Sequence, residues 1–198
     1  MVEELLSDTK LIPVPKALAD QIRHQAARLG LSVSAITAES LRNFLKAHQL
    51  GATLGEAVDL VRLSQVHRGA GHLALQRAGF KDLVKTLYAE DPSTLRRLWR
   101  QSGRWYAAYL SSKLGEDLLG FLEKDLLLTW NLDESQVEVE DLAVRVRLVS
   151  FDMSEVLTEL LVVYTKGFFE ELGYACESED VLPGLVYMEF LRKQGARL

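Results

Sequence analysis

Two serines, Ser32 and Ser34, carry the clearest chemistry in this sequence. They follow Gly30 and open a run of helical apolar spacing, so their hydroxyls lie beside the free backbone N–H groups of a helix start. Such a set of donors binds anions, and phosphate groups in particular. Lys10 and Lys16 supply cations nearby along the chain. The segment therefore predicts contact with a phosphate backbone.

Other residue types that could do chemistry stand apart from one another. Cys176 is the single cysteine, which excludes an internal disulfide and a multi-cysteine zinc site, and we expect a buried, unreactive thiol. His67 and His72 are five residues apart with glycines between them, a spacing that does not align two ligands on one helical face. We expect both histidines to be solvated or to cap a helix. Since no phosphate-binding glycine loop, nucleophile elbow or paired-carboxylate motif occurs, the sequence predicts no catalytic residues, no metal site and no cofactor.

The elements that position the serines are predicted from apolar spacing. Residues 10–14 form a short extended stretch ended by Pro15, and two helices then follow on either side of Gly30, a left-handed cap. The inward face of the strand carries Ile12 and Val14, so Thr9, Leu11 and Pro13 point outward. The apolar stripes of the two helices comprise Leu18, Ile22, Ala26 and Leu29, then Ile36, Leu41, Phe44 and Leu45.

This order of strand, helix, glycine turn and helix over about residues 8–49, with Pro15-x-x-Leu18 and Gly30-Leu31-Ser32-Val33-Ser34 opening the helices, resembles the MetJ/Arc ribbon-helix-helix family. The resemblance implies a prokaryotic-type homodimer in which paired strands enter the major groove of double-stranded DNA. Thr9, Leu11 and Pro13 would then face the bases, but leucine and proline cannot form base-discriminating hydrogen bonds. We therefore expect contacts to phosphate to dominate, made by Lys10, Lys16, Ser32 and Ser34.

The remaining sequence predicts helices followed by an antiparallel sheet. Residues 53–68 begin with the capping-box pair Thr53 and Glu56, and residues 72–130 are mostly helical. Arginines between 96 and 104 stand among aromatic residues; we favour a solvated face over a nucleic-acid patch. A hairpin is expected at 136–151, a helix at 153–172 and two strands around the Pro183-Gly184 turn. The predicted fold class is α+β, with an N-terminal ribbon-helix-helix, a helical connector and an α/β sandwich-like domain.

The C-terminal half carries a second pattern, in Leu110-Ser111-Ser112-Lys113-Leu114-Gly115, Tyr164-x-x-Gly167-Phe168-Phe169 and Gly184-x-x-x-Met188-x-Phe190. From about residue 100 to 192 it resembles the 4-vinyl reductase, or hydrocarbon-binding, domain family. The resemblance implies a pocket for a small apolar ligand; the family's zinc-binding cysteine pair is replaced here by Val181 and Met188. Because adjacent helical residues point about 100° apart, only one of the two phenylalanines should face the pocket or core. The expected ligand-binding residues are Trp105, Tyr109, Tyr164, Phe168 and Phe169.

Charge divides the chain unevenly. The net charge is −5, but residues 1–100 carry 14 basic and 10 acidic side chains, whereas residues 101–198 carry 9 and 18. We therefore expect a basic binding module at 1–50, a helical connector at 51–100 and a ligand-sensing or dimerisation domain at 101–198. No apolar run reaches the roughly 20 residues of a membrane span and no signal peptide pattern is present, which favours the cytoplasm.

The sequence therefore predicts a homodimeric, DNA-binding transcriptional regulator whose C-terminal domain senses a small apolar ligand. One alternative is an antitoxin-like interaction or scaffold protein that uses the N-terminal module only for assembly. Another is an enzyme with a site built from scattered residues. An uncharged outer strand face favours the first alternative, and titratable groups that converge in a cleft favour the second.

Overall fold

A computed structural model describes residues 10–193, with only the backbone of Glu116. The chain divides into two compact units, the first ending at Gln65 and the second beginning at Val66. In the described residues the order is α1 (Lys16–Leu29), α2 (Val33–Gln49), α3 (Leu54–Ala70), α4 (Arg77–Glu90), α5 (Pro92–Leu114), a 3-10 turn (Gly115–Asp117), α6 (Leu118–Thr129), β1 (Glu134–Glu140), β2 (Ala143–Val149), α7 (Glu155–Glu171), β3 (Tyr174–Leu182) and β4 (Leu185–Arg192).

The two N-terminal helices end and begin where the sequence predicts. Gly30 adopts a left-handed φ of 67°, and the N–H of Leu31 donates to the carbonyl of Ala26 at 3.0 Å, which closes α1. The Ser32 hydroxyl accepts from the Ala35 N–H at 3.1 Å and caps α2. Local capping chemistry therefore sets this helical hairpin.

The prediction of a strand before α1 is wrong. Residues 10–15 form no strand, and Thr9 lies outside the described residues. A single short strand has no backbone partner within its own chain, and Pro13 and Pro15 each remove an N–H donor. The predicted α+β fold class with a ribbon-helix-helix and a sandwich-like domain is therefore also wrong: the described chain is mostly helical, with seven α-helices and a small C-terminal sheet of four antiparallel strands.

The second unit is built around a close crossing of α5 and α7. A Cβ atom on Gly103 would overlap the carbonyl of Tyr164, and one on Gly167 would overlap the carbonyl of Arg100, so each helix needs a glycine at the crossing. On the solvent side of the crossing, arginines of α5 pair with carboxylates of α7. These ion pairs are Arg96 with Glu159, Arg100 with Glu170 and Arg104 with Glu171. The arginines thus line a solvated face, as the sequence favoured.

The other side of α7 packs on the sheet, whose strand order is β1-β2-β4-β3. Both predicted hairpins are confirmed, with Val137 opposite Val146 and Val181 opposite Val186. The β3–β4 turn is fixed by Gly184, whose φ is 76° and whose N–H donates to the Thr158 hydroxyl of α7 at 2.9 Å. The buried face of the two central strands consists of Val144, Val146, Leu148, Val186, Met188 and Phe190.

Both edges of the sheet are acidic. Strand β1 carries Glu134, Glu138 and Glu140, and strand β3 carries Glu177, Glu179 and Asp180. Their outward positions leave most of these carboxylates exposed. Within residues 10–193, none of the helices combines the length and the apolar character needed to cross a bilayer.

Candidate functional site

A buried carboxylate on α6 gathers polar groups from three helices. Asp125 is 1% exposed, and its Oδ1 lies 2.5 Å from Nε2 of His67 at the end of α3. The Tyr106 hydroxyl of α5 donates to the same oxygen at 3.0 Å, and the Thr129 hydroxyl of α6 does so at 3.4 Å. A buried charge is stable only when it is paired and hydrogen-bonded, and His67 is the side chain in contact that can neutralise this one.

His72 completes what we call the Asp125 cluster: His67, His72, Tyr106, Asp125 and Thr129. Its ring centroid lies 4.7 Å from that of His67 and 4.8 Å from that of Tyr106. The imidazole of His72 therefore lies between the ring of His67 and a buried phenol, tilted against both.

The end of α3 explains how two histidines five residues apart meet. Gly71 adopts a left-handed φ of 74°, its N–H donates to the carbonyl of Arg68 at 3.3 Å, and the His72 N–H donates to the carbonyl of His67 at 2.9 Å. This pair of bonds is the Schellman motif, in which the second residue after the helix folds back onto the last turn. Here the usual apolar contact of that motif is a contact between two imidazole rings.

The expectation that His67 and His72 are solvated or capping is wrong for the ring of His67, which is mostly buried against Asp125. Spacing along an ideal helix was the wrong criterion, because the chain reverses at Gly71. The signal that finds the pair is a glycine four residues after the first histidine and directly before the second.

Burial and nearby charge shift the titration of this cluster. The pKa of His72 is lowered, first by burial and then by the neighbouring His67, while Asp125 opposes the shift. Burial raises the pKa of Tyr106, and the charge of Asp125 adds to it. Burial likewise raises the pKa of Tyr164, again with a contribution from Asp125. Both phenols thus remain protonated, and His72 favours its neutral form.

One acceptor of the cluster is not used within the described protein. The second carboxylate oxygen of Asp125, Oδ2, is buried and has no hydrogen-bond partner there. All three donors converge on Oδ1 instead. The arrangement can bind and release a proton. Across the described part of the chain, no three His, Cys, Asp or Glu side chains converge in a way that could hold a metal ion.

The predicted ligand-binding residues are only partly brought together. Trp105 is 55% exposed and stacks on Tyr109 at 5.6 Å, whereas Tyr164, Phe168 and Phe169 are buried. Phe168 and Phe169 point in different directions, towards Tyr106 and Phe190 respectively, but both directions are core. The expectation that only one of the two serves a pocket or core is wrong, because α7 lies between α5 and the sheet.

The described members of the predicted DNA-binding set, Lys10, Leu11, Pro13, Lys16, Ser32 and Ser34, are all exposed. The Ser32 hydroxyl already serves as the cap of α2, which leaves Ser34 as the uncommitted hydroxyl of the predicted pair. Elsewhere, an open groove of about 300 Å³ lies on the sheet beside Arg147, Asp180, Leu182 and Tyr187. None of the predicted site residues lines this groove.

The comparisons with known proteins return little. No family model matches the chain, and no curated protein matches it. A solved structure of the H-NOX family, from work on the function of heme distortion in that family, is 12% identical, and the match covers 69% of this chain and 86% of that one. Its TM-score of 0.40 is too low for the likeness to carry an argument about this chain.

Proposed function

We propose that this chain is a homodimeric, DNA-binding transcriptional regulator of the cytoplasm, without enzymatic activity. The observation that carries the proposal is the unburied apolar surface of the first unit. Leu18 and Leu29 of α1 and Leu41, Phe44 and Leu45 of α2 are exposed, and among the residues of α1 and α2 only Ala26 and Ala47 are buried. Isolated helices of 14 and 17 residues are marginal in water, so these apolar faces need a partner.

A second copy is a suitable partner because both helices carry apolar stripes of similar size. Two copies can pack these stripes against each other as a four-helix arrangement related by a twofold axis. In such an assembly the polar faces of all four helices remain in water, where they are free to meet DNA.

Charge supports DNA as the target of those faces. Residues 10–50 carry six basic and two acidic side chains, a net charge of +4 in a chain whose total is −5. Lys10, Lys16 and Ser34 are exposed and suit phosphate contacts, which hold a protein on DNA without reading its sequence. We therefore expect affinity to depend strongly on salt and weakly on base sequence.

Fluorescence anisotropy on labelled random-sequence duplexes at two salt concentrations tests the proposal. Replacing Lys10 and Lys16 together by Ala should weaken binding to all duplexes about equally and lower the salt slope by about 2, one for each phosphate contact. Ser34→Ala should act in the same direction, and Leu11→Ala should leave sequence preference unchanged. Lys85→Ala, at an exposed position of α4 in the second unit, is the control and should change nothing.

The second candidate is an interaction or scaffold protein that self-associates without binding DNA. The observation that favours it is the apolar segment before α1, where Leu11 is fully exposed and Ile12 and Val14 are about half exposed. Self-association in sedimentation experiments together with no anisotropy change on any duplex would support this candidate and contradict the DNA proposal.

For the second unit we propose a sensing role. A small apolar ligand could enter beside exposed Trp105 and Tyr109 and reach Tyr164, Phe168 and Phe169 only by displacing packed side chains. A thermal-shift screen of fatty acids, isoprenoids and aromatic compounds tests this, since a ligand that binds the folded state raises the melting temperature. No shift with any of them would contradict the ligand proposal.

A further inference from the structure

The Asp125 cluster holds one carboxylate against two imidazoles. His67 contacts Asp125 directly, and the ring of His72 lies against His67 instead. The titratable and charged groups that face His72 are His67 of α3, Tyr106 of α5 and Asp125 of α6. One carboxylate can balance one proton on these rings, so a second imidazolium in the same place lacks a counterion and is repelled by the first.

The cluster is also part of the cap that ends α3. The ring contact between His67 and His72 accompanies the two backbone bonds of the Schellman motif, so losing it removes one of the contacts that hold the motif closed. Tyr109 closes over the same turn, with its hydroxyl 3.4 Å from the carbonyl of Val66 and directly against Gly69. Opening can therefore stay local to residues 66–72.

We propose that the Asp125 cluster is a proton-operated clasp, which holds the last turn of α3 closed while His72 is neutral and releases it when His72 takes up a proton. Helix α3 begins at Leu54 in the first unit and ends at Ala70 in the second. Release of its last turn loosens the segment of chain that connects the two units. The clasp lies within the second unit and does not depend on DNA binding.

The direction of the pH effect follows from the titration of His72. The pKa of His72 is lowered in the closed form by burial and by His67, whereas in the open form it returns to about 6.5. The open form therefore binds the proton more readily. The stability of the closed form relative to the open form is therefore greatest above pH 6.5. It decreases as the pH falls from 6.5 towards the lowered pKa of His72.

Hydrogen exchange as a function of pH tests the clasp in the full chain. After correction for intrinsic exchange rates, the opening constant of amides in residues 66–72 should rise by up to about tenfold per pH unit below 6.5, the limit for uptake of one proton. Amides of α7 should not follow. His72→Phe keeps a ring on His67 and removes the titration of His72, so the rise of its opening constant below pH 6.5 should disappear. His24→Phe, on exposed α1, is the matched control and should behave as the unmodified chain does.

Three results would overturn the clasp. One is a His72→Phe chain that still opens with acid, and another is exchange in α7 that rises together with that of residues 66–72, which would mean global unfolding. The third is an NMR titration of the unmodified chain in which His72 titrates at or above pH 6.5. The NMR result decides the matter even if the variant fails to fold.

Discussion

Helices α2 and α7 are each 17 residues long and each is capped by a serine, Ser32 and Ser154, yet they differ greatly in how many of their residues are buried. Ten residues of α7 are buried, whereas α2 buries one, Ala47. Local signals form both helices equally well. The difference lies in the packing partners. In the second unit α7 packs against a helix on one side and a sheet on the other, whereas the first unit offers α2 too little surface to cover its apolar face. Tertiary partners, not helix propensity, separate the two regions.

The largest expected effect concerns the close crossing in the second unit. Gly167→Ala should lower the free energy of unfolding by about 3 kcal/mol, because its methyl group meets the backbone carbonyl of Arg100, which cannot move aside without separating α5 from α7. Thermal or urea unfolding followed by circular dichroism measures this. Gly120→Ala in α6, where a methyl group meets open space, is the control and should be neutral or slightly stabilising.

If Gly167→Ala unfolded at the same temperature as the unmodified chain, α5 and α7 would cross less closely than the glycine contacts indicate. It would also remove the sharpest contrast between the second unit and the first.

The next effect concerns the exposed apolar surface of the first unit. Phe44 of α2 is 51% exposed, and covering it by a second copy should contribute about 2 kcal/mol. Phe44→Ala should therefore raise the dimer dissociation constant by at least tenfold, as measured by sedimentation equilibrium. Phe151→Ala removes a ring that is 84% exposed in the second unit and should leave association unchanged.

If Phe151→Ala weakened association and Phe44→Ala did not, the second unit would be the assembly surface. The contrast between the two regions would then have to be drawn the other way round.

The smallest effect concerns the ion pairs along α5 and α7. Arg100 pairs with Glu170 through two nitrogens but remains about half exposed, so Arg100→Ala should cost only about 0.5–1 kcal/mol. The cost should shrink further in 1 M salt, because screening weakens exposed pairs. The guanidinium of Arg97 donates to the Thr94 hydroxyl of its own helix, so Arg97→Ala should have almost no effect in the same unfolding assay. An equal or larger loss for Arg97→Ala would show that the α5–α7 pairs do not stabilise the crossing.

Local features of the fold were predictable from the sequence because each depends on neighbouring residues. The caps at Gly30 and Ser32 and the hairpin turn at Gly184 follow from backbone and side-chain preferences within a few positions. The prediction of a strand at 10–14 was wrong because a strand requires neighbouring strands as hydrogen-bond partners, and local sequence does not reveal whether these exist. The crossing of α5 and α7 was missed because the contact between Gly103 and Tyr164 joins residues 61 positions apart.

The candidate site was missed for a related reason. His67, Tyr106 and Asp125 lie on three helices, and the local sequence around each residue does not predict that their side chains come into contact. Only the pairing of His67 with His72 had a local signal, the glycine between them. Three of the predicted ligand-binding aromatics, Tyr164, Phe168 and Phe169, lie in the core, because an aromatic residue on an amphipathic helix fits a core and a pocket equally well.

The acidic edges of the sheet have a consequence for how this protein behaves at high concentration. An edge strand offers unpaired backbone groups to any other strand, which is the usual route to fibrils. At neutral pH the glutamates of β1 and the acidic residues of β3 place like charges side by side whenever two sheets meet edge to edge. The carboxylates thus act as gatekeepers against strand stacking.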